Sequence, residues 1–121
     1  MAASARWVPD RRDIIWIDFN PQVGQEMKDL HPMLVLSPKA FNERTSLVIG
    51  LPMTTAVSNE GNPFAIKFAG LKGMASYVLA HQPKSLDWCR RGARPHPWKQ
   101  LPPHVFAESC ETLNQIIAIG A

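Results

Sequence analysis

Residues 8–42 read VPDRRDIIWIDFNPQVGQEMKDLHPMLVLSPKAFN, and this run decides the fold class. Residues 13–19 are apolar and rich in branched and aromatic side chains, the composition of a strand. Asn20 and Pro21 end it with a turn signal. A polar loop over residues 22–30 follows, with Gly24, Gln25, Glu26, Lys28 and Asp29. His31 and Pro32 stand at its exit, and residues 33–37 read as a second strand that Ser37 and Pro38 terminate. Strand, polar loop, strand is the unit from which the rest extends.

Further short strands follow it. Residues 46–53 (SLVIGLPM) form a third strand, in which Gly50 and Pro52 predict a bulge or bend. Residues 56–62 are a loop with Asn59 and Gly61. Residues 64–68 alternate Phe, Ile and Phe with Ala and Lys, the period of a half-buried strand. Residues 74–80 and 84–87 add two more. Short strands separated by turns indicate a mainly β domain, a small barrel or sandwich, and not a βαβ layout. The C-terminal part differs. Pro102 and Pro103 precede HVFAESCETLNQIIAI, which reads as a helix. Phe106, Cys110, Leu113 and Ile117 recur at helical spacing and predict its apolar face, with Gly120 at its end. Residues 1–6 read as a loose tail.

The 121 residues suit one small domain, with 45% hydrophobic and 19% charged residues. Thirteen basic residues against ten acidic give +3, a mild bias compatible with nucleic acid. Lys84, Arg90, Arg91, Arg94 and Lys99 fall close together, opposed only by Asp87. Such a run is commonly a solvated loop. Cys89 and Cys110 lack metal spacing with each other or with the four histidines, and read as free thiols of a reducing compartment. The N-terminus lacks the apolar core of a signal peptide, and no apolar run is long enough to span a membrane. The simplest expectation is a cytoplasmic protein.

Residues 8–42 resemble the start of the MazF/PemK family of toxin endoribonucleases, where VPDxGDIIWxDFxPxxGxEQxGxRPALVLSPxxYN is close to a signature. Three later blocks carry the resemblance onward in the family's order. LPMTT at residues 51–55 is like xPxTT/S, NPFAIKF at 62–68 is like YPFEV, and VLAHQPKSLDWCRRGA at 78–93 is like VLADQVKSLDWRARGA. The loop after Thr55 is about two residues longer than the family pattern. The resemblance spans most of the chain, roughly residues 7–119. It implies an SH3-like small β-barrel with a C-terminal helix, a homodimer, and the toxin role in a type II toxin–antitoxin pair. Single-stranded RNA and a MazE-like antitoxin with an acidic tail would be the partners. It implies no cofactor.

Metal-independent RNA cleavage needs a base for the ribose 2′-OH, an acid for the leaving 5′ oxygen, and donors for the charged phosphorane. The resemblance places this chemistry on Glu26, His31 and Thr54. Phe19, Asn20, His81, Gln82, Lys84 and Arg91 are the expected RNA-binding residues, by family position and by chemistry. Trp16 is expected in the core, Trp88 in the core or at the dimer surface, and Trp98 in a loop.

Three positions depart from the family. The arginine before the proline is His31, the glycine of DxGD is Arg12, and the aspartate of ADQVKS is His81. Arginine is permanently charged and offers phosphate a planar fork of donors. Histidine has a reference pKa of about 6.5 and can give or take a proton near neutrality. If the fixed charge stabilises the transition state, its loss costs about 2–4 kcal/mol. The alternative is a toxin-fold protein with weakened or lost catalysis that binds RNA or an antitoxin-like partner.

Overall fold

The structure, a computed structural model, describes residues 6–118. Gly120 and residues 1–5 of the expected tail lie outside the described residues. The elements run β1 (Asp13–Asp18), β2 (Leu30–Val35), α1 (Lys39–Thr45), β3 (Leu47–Thr54), β4 (Ala65–Ala69), β5 (Ala75–Leu79), β6 (Lys84–Asp87), β7 (Arg94–Gln100) and α2 (Pro103–Ile117). The strands form a curled antiparallel sheet in the order β4-β5-β3-β2-β1-β7, with β6 also paired to β3. A mainly β domain closed by a C-terminal helix is what the sequence predicted.

The central strands are buried on both faces. Ile14 and Leu34 are paired across β1 and β2 and face one core with Leu51, Val78, Leu101, Val105 and Leu113. Ile15 and Met33, the next pair, face a second core with Ile17, Phe19, Val35, Val48, Leu86 and Trp88. Period-two alternation therefore places apolar residues on both sides of DIIWID.

β3 serves two sets of neighbours. On one edge residues 47–50 pair with β6 and Met53 and Thr54 with β5, while residues 50–52 pair with β2 on the other. Gly50 sits where that change occurs. A Cβ there would stand 2.2 Å from the Leu34 carbonyl oxygen, so only glycine fits. The bend expected at Gly50 and Pro52 is thus a change of partner.

Other expectations need correction. β2 begins at Leu30 and ends at Val35, because its pairing with β1 continues through Trp16–Pro32, Ile17–His31 and Asp18–Leu30. His31 is therefore a strand residue. The basic run is only partly a loop: Lys84 lies on β6, Arg94 and Lys99 lie on β7, and Arg90 and Arg91 lie in the turn between them. Strand β7 holds Pro95 and Pro97, tolerated because β7 is a sheet edge. Trp98 lies on this strand, half-buried and stacked on Phe68 at 5.4 Å between ring centroids. Trp16 is half-buried beside a cavity, not in the core. Trp88 is core. The buried face of α2 is Val105, Ser109 and Leu113, with Phe106 packed beside it, whereas Ile117 is exposed. The face turns because Ser109 can be buried with its hydroxyl donating to the Val105 carbonyl at 2.8 Å. Arg12 keeps the left-handed turn for which the family uses glycine, with φ at 78°, and donates from Nη2 to Gln100 at 2.8 Å.

One polar residue ties the N-terminal segment to α1. Asn42 is fully buried. Its Nδ2 donates to the Pro9 carbonyl at 2.8 Å and the Ser37 carbonyl at 3.0 Å, and its Oδ1 accepts from the Ser37 hydroxyl. Its own carbonyl accepts from Trp88 Nε1 at 2.8 Å. Asp10 accepts from the Lys39 amide at 2.8 Å and so caps α1 from outside the helix. Asn42→Ala strands two buried carbonyls and a hydroxyl, and should lower the unfolding free energy by about 3 kcal/mol in urea denaturation. A loss under about 1 kcal/mol would show that water or relaxation replaces these bonds.

Candidate active site

The site forms where β2 and β3 part. They pair only at Met33–Pro52, Leu34–Leu51 and Val35–Gly50. Pro32 has no N–H to extend the ladder. Beyond Pro52, strand β3 keeps only its pairing with β5 on the opposite edge. Continuing the β2–β3 register would set His31 opposite Thr54, and the split between the strands leaves both residues at an opening. Both line two cavities. A polar cleft of about 740 Å³ includes Glu26, Lys28, Asn59, Asn62, His81 and Gln82. A mainly apolar one of about 450 Å³ includes Trp16, Pro32, Met53, Leu71, Met74 and Trp98.

The β1–β2 loop is held down by side chains. Asn20 and Asp29 close its neck: Asn20 Nδ2 donates to Asp29 Oδ1 at 2.9 Å, and the Asp29 amide donates to Asn20 Oδ1 at 3.0 Å. Arg91 donates to the carbonyls of Asp18, at 2.8 Å, and of Asn20. Gln82 accepts from the Met27 amide at 2.9 Å and donates to the Gln25 carbonyl at 3.3 Å. Glu26 accepts from the Val23 amide at 3.0 Å and pairs with Lys84 at 3.0 Å. The Lys84 hydrogen bond, then the Val23 amide, hold the Glu26 carboxyl below the usual glutamate range.

His31 uses Nδ1 against the Lys28 carbonyl at 2.9 Å. A carbonyl only accepts, so Nδ1 carries the proton. The described hydrogen bonds leave Nε2 unengaged. Thr54 Oγ1 accepts from the Ala56 amide at 3.1 Å, which leaves its hydroxyl proton to donate. In the apolar cavity, His96 lies tilted against Trp16 at 4.8 Å and accepts from the Trp98 amide through Nδ1 at 3.1 Å. Burial pushes its pKa down, and both effects keep it neutral.

Five residues expected in the site therefore share the polar cleft: Glu26, His31, Thr54, His81 and Gln82. Lys84 reaches it through Glu26. Asn20 and Arg91 brace the loop neck. Phe19, expected to meet RNA, is 3% exposed in the second core, because β1 alternates inward at that position. Lys28, Asn59 and Asn62 were missed. The asparagines sit in a loop whose sequence signals only turns. Among the described residues, no three His, Cys, Asp or Glu side chains gather into a metal-holding group.

Fold and cleft together define a small curled-sheet domain whose β1–β2 loop carries a carboxylate over a histidine–threonine opening. Residues 10–117 match the family described as PemK-like, MazF-like toxin of type II toxin-antitoxin system, and the chain belongs to that family. It is 41% identical over 89 residues to the endoribonuclease toxin MazF of Escherichia coli K12, covering 74% of this chain and 78% of that one. The crystal structure of MazF (Form-I) from Deinococcus radiodurans superposes with a TM-score of 0.84 at 34% identity, covering 94% of this chain and all of that one. MazE-MazF (Form-II) from the same organism gives a TM-score of 0.77 at 30% identity, covering 95% of this chain and all of that one.

Lys84→Met removes the first cause of the Glu26 shift. The Glu26 carboxyl should then titrate at higher pH in side-chain NMR, and the Met27 amide should keep its exchange protection through Gln82. Gln82→Ala should do the reverse. The wild-type ion pair supports folding fully above the unfolded glutamate pKa, and that support is lost as pH falls through the lowered folded value. An unmoved Glu26 titration in Lys84→Met would refute the pairing in solution.

Proposed function

We propose that this chain is the toxin of a type II toxin–antitoxin pair and acts as a sequence-specific endoribonuclease on single-stranded RNA. The reading is carried by one observation: Glu26, His31 and Thr54, from three separate segments, line a single open cleft. Glu26 and His31 are two groups that move protons, and Thr54 offers a hydroxyl donor to the scissile phosphate. Attack by the ribose 2′-OH on the adjacent phosphorus leaves a 2′,3′-cyclic phosphate and a 5′-OH end. No metal is needed for that chemistry.

Lys28 adds positive charge beside the path of the phosphate backbone, and His81 and Gln82 stand where they can contact bases. The E. coli relative's name supports the activity. The Deinococcus MazE-MazF complex supports a MazE-like antitoxin as partner. Net charge +3 suits an acidic antitoxin tail and an RNA strand alike. The assembly would be a homodimer, as the family resemblance implies, working in the cytoplasm where mRNA is found. No helix among the described residues is long and apolar enough to cross a membrane.

Purified protein incubated with a long single-stranded RNA in EDTA should give discrete cuts ending in 2′,3′-cyclic phosphate. The all-deoxy strand should remain intact, and Thr54→Val should cut about 10²–10³-fold more slowly. Absence of cleavage at every protein concentration, with RNA binding intact, would favour a binding protein of the same fold.

A further inference from the structure

We infer that His31 is the general acid of this cleavage, delivering its proton from Nε2, and that Glu26 is the general base. The inference rests on the ribonuclease reading and assigns roles within it. The geometry divides the two candidates. His31 Nδ1 is committed to the Lys28 carbonyl at 2.9 Å, so the proton that can be exchanged is the one on Nε2. The same contact orients the ring at the wall shared by the two cavities. Glu26 faces the cleft with Lys84 at 3.0 Å and the Val23 amide at 3.0 Å on its oxygens. Both contacts favour the carboxylate, which can take a proton but has none to give.

The other titratable groups around the opening fit the acid role less well. Lys28 and Lys84 belong to the polar side, and an ammonium is a poor proton donor to a leaving oxygen near neutrality. His81 is exposed and leans on Phe64, 5.8 Å between ring centroids. Across the wall, Lys72 has the same limitation as the other lysines, and His96 is neutral, with Nδ1 accepting from the Trp98 amide. A guanidinium at position 31 would hold its proton, whereas an imidazolium gives one up near neutral pH.

The step balances on these two residues. Glu26 takes the 2′-OH proton as O2′ bonds to phosphorus. The P–O5′ bond breaks with its electron pair on O5′, which receives the Nε2 proton of His31. Thr54 donates to a non-bridging oxygen throughout. Glu26 ends protonated and His31 neutral, and exchange with water restores both.

The test uses RNA with an ordinary scissile linkage and the same RNA with a 5′-bridging sulfur, whose leaving thiolate needs no proton. His31→Gln should cut ordinary RNA at least about 100-fold more slowly than wild type. It should cut the 5′-thio RNA within a few-fold of wild type, which also shows that the variant is folded. Glu26→Gln should be slow on both. On ordinary RNA the wild-type rate should fall about tenfold per pH unit along an alkaline limb of its pH profile. That limb should vanish with the 5′-thio RNA. Failure of sulfur to rescue His31→Gln, or rescue of Glu26→Gln instead, overturns the assignment while wild-type cleavage keeps the ribonuclease reading. Wild type that cuts neither RNA overturns both.

Discussion

The pairing of β1 with β2 is the constraint on which the rest depends. Both strands are buried on both faces, so a one-residue slip would exchange the residues feeding two separate cores. Ile14 and Leu34 would then leave one core as Ile15 and Met33 left the other. The register is consequently well specified. It carries His31 with it, opposite Ile17, at the point where β2 loses contact with β3. The site residue is placed by core packing several residues away.

The opening at His31 follows from the β2–β3 ladder ending at Met33 and Pro52. In β3, residues 47–50 are held by β6, residues 50–52 by β2, and Met53 and Thr54 by β5. Gly50 lets the Leu34 carbonyl approach where a Cβ could not fit. Pro32 ends the ladder on the β2 side. The strands separate, and Thr54 and His31 line the gap from opposite sides. Sheet geometry thus makes a cleft without requiring a long lid or a second domain.

Side chains from the stretch 82–91 then fix the loop that brings Glu26 to this cleft. Gln82 and Arg91 bind its backbone, and Lys84 binds its carboxylate. A basic segment that looks like a nucleic-acid surface is partly an internal brace. Its charge still matters to the site, because the Lys84 hydrogen bond lowers the Glu26 pKa. Position and charge are supplied by the same contact.

Much was legible in the sequence because it was local. Alternation exposed the strands, the proline pair and helical spacing exposed α2, and four ordered blocks exposed the family and pointed to Glu26, His31 and Thr54 as candidate site residues, which the fold brings to one cleft. Strand β7 and helix α1 were not legible: β7 carries two prolines that only an edge position tolerates, and α1 is short and capped by Asp10 from another segment. Phe19 looked like a stacking surface because alternation alone does not say which face meets solvent. The sequence by itself determined the β-rich class, the family and the chemical types at the site. Only the tertiary structure decided that Phe19 is core, that Lys84 serves Glu26, and that His31 Nδ1 is held by the Lys28 carbonyl. Those outcomes depend on contacts between residues far apart in the chain, and no local pattern encodes their partners.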